Sequence, residues 1–264
     1  MKLTYIWHDC FWLQSDSANV VFDFWKDPTS PSPSEIPAFL KEADKDKPLY
    51  VFVSHHHKDH YSKRIFEWHS LFSDIRYIIS DDTARHARHI LNPGSLYSGP
   101  KPSPSAVTVL KPGESFSDRL ITIHAFASTD IGNSYAVSLD GMTYFHAGDL
   151  NAWIWKDSST PEEVEESLSD FGKILDSILM KYQSFDFVMF PVDSRIGRDY
   201  FTGAKLFVRV FDVRHFFPMH FELGEDAHQI RKFHLDAAKT ELYMNPHDGE
   251  YICLQMPYSS FSRG

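Results

Sequence analysis

The sequence predicts an α/β fold: two packed β-sheets with helices on their outer faces, a four-layer αββα sandwich built by one domain spanning residues 1–264. Three observations predict it. Strand-like segments crowd the first half of the chain, whereas strands and helices alternate in the second. A nearly continuous apolar run, Leu49-Tyr50-Val51-Phe52-Val53, reads as a strand buried on both faces. The length of 264 residues, 42% hydrophobic and 23% charged, suffices for one large core without disulfides or metals as staples.

The elements follow in order. Leu3 to Trp7 and Asn19 to Phe24 are β-branched and aromatic, with a polar break at Gln14-Ser15-Asp16-Ser17. The Pro/Ser stretch 28–34 is a loop, after which Ser34 is expected to cap a short helix through Leu40 and Ala43. Beyond the Leu49–Val53 strand, residues 62–72 look helical, 76–79 a strand and 81–91 a helix carrying His86 and His89. Residues 92–118 are rich in Pro, Ser and Gly around a short strand, 107–110. Strands are expected at 120–123, 134–137 and 142–145, the last two joined by Asp140-Gly141, a hairpin turn signal. Thr160-Pro161-Glu162-Glu163 opens a long amphipathic helix to about Tyr182. A strand (185–190), a helix (203–211), a strand (215–218) and a helix (227–237) complete the pattern.

The net charge of −10 and the lack of any Lys/Arg run argue against broad nucleic-acid binding. Cys10 and Cys253 form neither a disulfide framework nor a zinc knuckle. No signal-peptide core or membrane-length apolar run is present, so a cytoplasmic protein acting on a small molecule, without a membrane partner, is expected.

The chemistry concentrates in His55-x-His57-x-Asp59-His60, where the apolar strand runs out into a loop. Residues two apart in an extended chain project to one side, so His55 and His57 can grip one ion while His56 points away. Asp59 and His60, at the turn into the next helix, can reach a second ion. Imidazole and carboxylate ligands suit zinc, manganese or iron at open catalytic sites.

This motif resembles the signature of the metallo-β-lactamase superfamily, and the resemblance extends along nearly the whole chain. Thr4 to Phe11 resembles the opening strand of the ascorbate-phosphate lactonase-like branch, with Trp7-His8-Asp9 where that branch carries Gly-His-Ser or similar. Asp23 matches a buried carboxylate that orients a metal-binding histidine. His146-Ala147-Gly148-Asp149 is similar to the element whose Asp bridges both metals, and Pro218-Met219-His220 to the strand end that supplies the last histidine. The resemblance implies the metallo-β-lactamase fold, two divalent ions, and the ligand set His55, His57, Asp59, His60, Asp149 and His220. It implies hydrolysis of an ester, lactone or phosphodiester by a metal-activated hydroxide, with Asp59 as the catalytic carboxylate that orients the water and receives a proton.

The chain departs from the family where a further histidine usually follows the strand near Ile123 to Phe126. Ala127-Ser128-Thr129-Asp130 stands there, and Asp130 is the substitute ligand, with a turn-capping role as its alternative. His124 is too early if it lies within the strand. Arg195, His146 and His8 are candidate substrate contacts; Arg195 can instead pair with Asp193, and His8 and His146 can instead support the ligands. His86, His89, His228 and His234 look like helix-surface residues, and Trp153 and Trp155 like packing or a pocket wall. A non-catalytic metal-binding sensor or scaffold and a metal-dependent nuclease are the alternative functions.

Overall fold

The computed structural model describes residues 1–255 apart from 31, 33, 34, 156, 157, 198, 222–240 and 243–252. The chain divides into two compact units, Met1–Val109 with Tyr251–Gly264, and Leu110–Glu250.

The first unit is built on a seven-stranded sheet. Its strands are β1 (Lys2–Trp7), β2 (Cys10–Gln14), β3 (Asn19–Phe22), β4 (Leu49–Val53), β5 (Ile75–Ser80) and β6 (Val107–Leu110) in sequential order, with a short strand, Cys253–Gln255, beyond β1. β1, β2 and β3 pair antiparallel, and β3, β4 and β5 parallel. All five residues of β4 are buried, as its continuous apolar run predicts. Leu49, Val51 and Val53 join Trp12, Phe24, Phe39, Trp68 and Tyr77 in one aromatic-rich core. Trp68 meets Phe24 with ring centroids 4.9 Å apart.

The opening strand expected over Thr4 to Phe11 is two strands. His8 adopts φ 58, which turns the chain back so that Trp7 pairs with Cys10. The helix expected from Ser34 starts instead at Ala38 (α1, Ala38–Lys41), and Ser34 itself lies outside the described residues. Pro37 has no N–H and biases its predecessor away from helical angles, so it sets the boundary. The Ala38 N–H is received by the Asp27 carboxylate instead. Residues 63–70 form a 3-10 helix capped by Ser62. The helix expected over 81–91 breaks at Ala87 into α2 (Asp81–His86) and α3 (Arg88–Leu91).

The second unit repeats the plan. β7 (Ser115–Ser117), β8 (Ile121–Ala127), β9 (Asn133–Leu139) and β10 (Met142–His146) run antiparallel. β11 (Ser184–Pro191), β12 (Asp212–Met219) and β13 (Glu241–Leu242) continue the sheet parallel to β10. The β9–β10 turn is made by Asp140 and Gly141 at φ 51 and 76, the mirror-image turn the dipeptide predicts. Strand β7 was not expected from its short polar sequence. α4 (Pro161–Leu179) carries a full capping box between Thr160 and Glu163 and stops three residues before the expected Tyr182. α5 (Thr202–Val210) packs Phe207 against Phe145, Phe190 and Phe211. The helix expected over 227–237, with His228 and His234, lies outside the described residues. Among the described residues, no helix is long and apolar enough to cross a membrane.

Candidate metal-binding clusters

In both units the chemistry sits just beyond the carboxyl ends of parallel strands, where open α/β sheets place ligands. In the first unit, β3 ends into Asp23 and β4 into Ser54-His55. In the second, β10 leads to Asp149, β11 to Asp193 and β12 to His220. Five non-glycine residues have positive φ among the described residues: His8, Asp23, Asp140, Trp153 and His220. All but the turn residue Asp140 belong to these clusters, where backbone strain is commonly stored.

In the first unit, the buried Asp23 organises the histidines. Its Oδ1 accepts the Ser54 backbone N–H at 2.7 Å, and its Oδ2 accepts the Ser54 hydroxyl at 2.5 Å. Oδ2 also pairs with His60 Nδ1 at 2.9 Å, and Ser54 Oγ lies 3.0 Å from His55 Nδ1. Carboxylate and hydroxyl thus hold the Nδ1 side of two rings, the usual device for presenting Nε2 to a metal. The His55 ring lies 4.1 Å from that of His60 and 4.6 Å from that of His57. His56 points away as expected: its backbone N–H and Nδ1 both meet Asp82, and its ring stacks on His86.

Donor atoms of His8, Asp59 and His60 all lie within 4.8 Å of one another. Hydrogen bonding from His8 is the largest influence on Asp59. With help from the nearby His60 it outweighs burial and holds that carboxyl well below the usual carboxylate range. Sequence reasoning missed two members of this cluster. Ser54 gave no signal beyond its place before His55. Asp9 is fully buried, with Oδ2 3.3 Å from Nε2 of both His8 and His60.

In the second unit, Asp149 Oδ1 lies 3.2 Å from His220 Nε2, and a donor atom of Asp130 lies within 4.8 Å of one on Asp149. Behind His220 stands Asp193, whose Oδ2 is 2.9 Å from His220 Nδ1. Arg195 grips the same carboxylate through Nε and Nη2, at 2.9 and 2.6 Å. Burial pushes the Asp193 carboxyl up, but the hydrogen bonds from His220 and Arg195 outweigh it and hold the group well below the usual range. No local pattern marks the orienting role of Asp193, because only the fold brings it to a histidine 27 residues away.

Arg195 therefore makes the structural pair, yet its side chain stays 56% exposed. It lines a cleft of about 500 Å³ with Asp130, Asp149, Trp153, Trp155 and His220. Trp153 donates its indole N–H to the Asp149 carbonyl at 2.8 Å and meets His220 edge-on, so it is pinned to both donors. Trp155 is 42% exposed. His146 is buried, with Nδ1 3.3 Å from the Gly148 N–H it receives, and is not among the residues lining that cleft. His124 lies within β8, its Nδ1 2.7 Å from the Tyr182 hydroxyl. Asp130 is exposed, and its N–H reaches Ser128 Oγ at 3.3 Å.

The donor set is imidazole and carboxylate, with carboxylates behind two of the histidines, His60 and His220. It fits divalent ions.

The family model described as a beta-lactamase superfamily domain matches residues 2–163. Among curated proteins, none matches the sequence. Several solved structures share the fold. Igni18, a metallo hydrolase from the archaeon Ignicoccus hospitalis, is 15% identical with a TM-score of 0.64, covering 97% of this chain and 99% of its own. A metal-dependent hydrolase from Parabacteroides distasonis is 16% identical with a TM-score of 0.57, covering 91% of each chain. CmlA, a diiron β-hydroxylase from Streptomyces venezuelae, is 10% identical with a TM-score of 0.57, and its match covers 97% of this chain and 54% of its own.

Proposed function

The chain belongs to the metallo-β-lactamase superfamily of metal-dependent hydrolases, and from that premise we propose that it hydrolyses an ester, lactone or phosphodiester in a small-molecule substrate. The proposed ligands of two divalent ions, zinc, manganese or iron, are His55, His57, Asp59, His60, Asp130, Asp149 and His220. The observation that carries this reading is the paired support of the histidines: Asp23 behind His60 and Asp193 behind His220, each at 2.9 Å from Nδ1. His56 also meets a carboxylate, Asp82, through Nδ1, but its ring stacks on His86, whereas Nε2 of His60 and of His220 faces a second carboxylate oxygen, on Asp9 and Asp149.

When bound, such ions lower the pKa of water and polarise the scissile carbonyl or phosphoryl group. The chain's own residues supply the rest. The His8 hydrogen bond holds Asp59 ionised, so it can accept a hydrogen bond and orient a water, while a carboxyl held below its usual range is a weak proton acceptor. Asp193 and Arg195 fix the His220 ring, while Trp153 fixes the Asp149 backbone. Trp155 and the exposed guanidinium of Arg195 form the wall against which a substrate would lie, the Arg meeting any anionic group. A cytoplasmic location belongs to the same reading.

The test is the metal content of protein purified without added metal, followed by an ester, lactone and phosphodiester panel on wild type and His57→Ala. We expect the variant to fold, retain little metal and lose hydrolysis. Equal metal content in the two proteins would remove His57 from the ligand set, and a metal-loaded wild type inert on all three classes would sink the proposed substrate range.

A further inference from the structure

The segment Trp7-His8-Asp9 carries a carboxylate, on Asp9, that is 0% exposed. A buried carboxylate is costly unless it is paired or holds a metal. The turn at His8, with φ 58, places Asp9 at the start of β2, beside the loop after β4.

Asp9 Oδ2 faces His60 Nε2 at 3.3 Å. The opposite ring nitrogen of His60 is committed to Asp23 Oδ2 at 2.9 Å. A neutral imidazole that donates from Nδ1 presents a lone pair at Nε2. A lone pair and a carboxylate oxygen facing each other at this separation repel, unless a cation lies between them. The spacing suits a cation, because two ligands bonded at 2.0–2.1 Å to a tetrahedral ion stand about 3.4 Å apart. His8 Nε2, 3.3 Å from Asp9 Oδ2 and 3.6 Å from Asp59 Oδ2, ties the two carboxylates together.

We propose that Asp9 is itself a metal ligand, adding a second carboxylate to the divalent ion held by Asp59 and His60. The proposal rests on the metal-site reading above and goes beyond it. Two anionic oxygen ligands and one imidazole make this position harder than an imidazole-rich one, and favour manganese or iron relative to zinc. The competing account is a protonated His60 held between Asp23 and Asp9, with no metal contact by Asp9.

Full-length Asp9→Ser, which removes the carboxylate, and the isosteric Asp9→Asn separate these accounts. Circular dichroism checks their folding. Affinities for Mn²⁺ and Zn²⁺ come from competition with a fluorescent chelator, and the d–d spectrum of Co²⁺-loaded protein reports the coordination shell. We expect Mn²⁺ affinity at one site to fall at least about tenfold, Zn²⁺ affinity to fall less, and the cobalt spectrum to change. Wild-type affinities and an unaltered cobalt spectrum in a folded variant would overturn Asp9 as a ligand. If His57→Ala still lost its metal in parallel, the hydrolase reading would survive that result. A wild-type protein that bound none of the three ions would overturn both.

Discussion

Single carboxylates behind histidines do much of the positioning. Asp193 meets His220 on one side and Arg195 on the other, so one side chain sets both a candidate ligand and a wall of the cleft. Asp193→Asn should lower the affinity of one metal position about 10- to 100-fold by loosening the His220 ring, measurable by chelator competition. The same carboxyl is held below its ordinary range, so its contribution to stability is present above about pH 4 and is lost as pH falls through the folded-state value. Metal-free Asp193→Asn should accordingly show a flatter fall in melting temperature below pH 4 than wild type. Parallel curves would mean that the ion pair contributes nothing to folding. Asp130 poses a separate question, since it is exposed yet close to Asp149. Asp130→Ala should weaken one metal position more than the other, and Asp130→His should shift preference towards zinc. Unchanged titrations in both variants would leave Asp130 as a turn residue.

Short elements beside the clusters owe their form to local packing that composition does not reveal. α5 approaches the loop after β10 so closely that a Cβ on Gly203 would overlap Asn151 Oδ1 and come within 2.9 Å of the Ala152 backbone nitrogen. Asn151 cannot easily yield. Its Oδ1 receives the Ala152 N–H at 2.8 Å, and its carbonyl receives the Thr129 hydroxyl at 2.6 Å. Gly203→Ala should therefore destabilise the protein by about 1–3 kcal/mol, despite alanine's better helix propensity. Because Asn151 lies two residues from Asp149, metal affinity should fall as well. A variant as stable as wild type in urea would show that the loop gives way freely.

Across the molecule, acidic charge and buried aromatic cores divide the work. Each unit has its own core, Trp12, Phe24 and Trp68 in the first and Phe145, Phe190 and Phe207 in the second. With such cores we expect the fold to stand without metal, and chelation should leave far-ultraviolet circular dichroism intact. Bound ions still stabilise by mass action, by about 2.7 kcal/mol when free metal is 100-fold above its dissociation constant. Melting temperature should rise with Mn²⁺ or Zn²⁺, and the rise should vanish in His57→Ala. Loss of secondary structure on chelation would show that the ions are structural.

The sequence by itself determined the fold class and pointed to the first histidine cluster. Continuous apolar strands, the Asp140-Gly141 turn and the Thr160 capping box are local patterns, and His55, His57, Asp59 and His60 are near neighbours in the chain. The turn at His8 was hidden, because a β-like run of residues does not disclose one left-handed residue within it. Ser34 reads as a cap until Pro37 is weighed. Asp9 against His60, Asp23 against Ser54 and Asp193 against His220 are separated by 51, 31 and 27 residues respectively. No local pattern encodes such pairings. They arise only in the folded chain, Asp23 and Asp193 beyond the carboxyl ends of parallel strands and Asp9 at the turn between two antiparallel ones, and that arrangement is decided by burial of the sheets rather than by the polar residues it brings together.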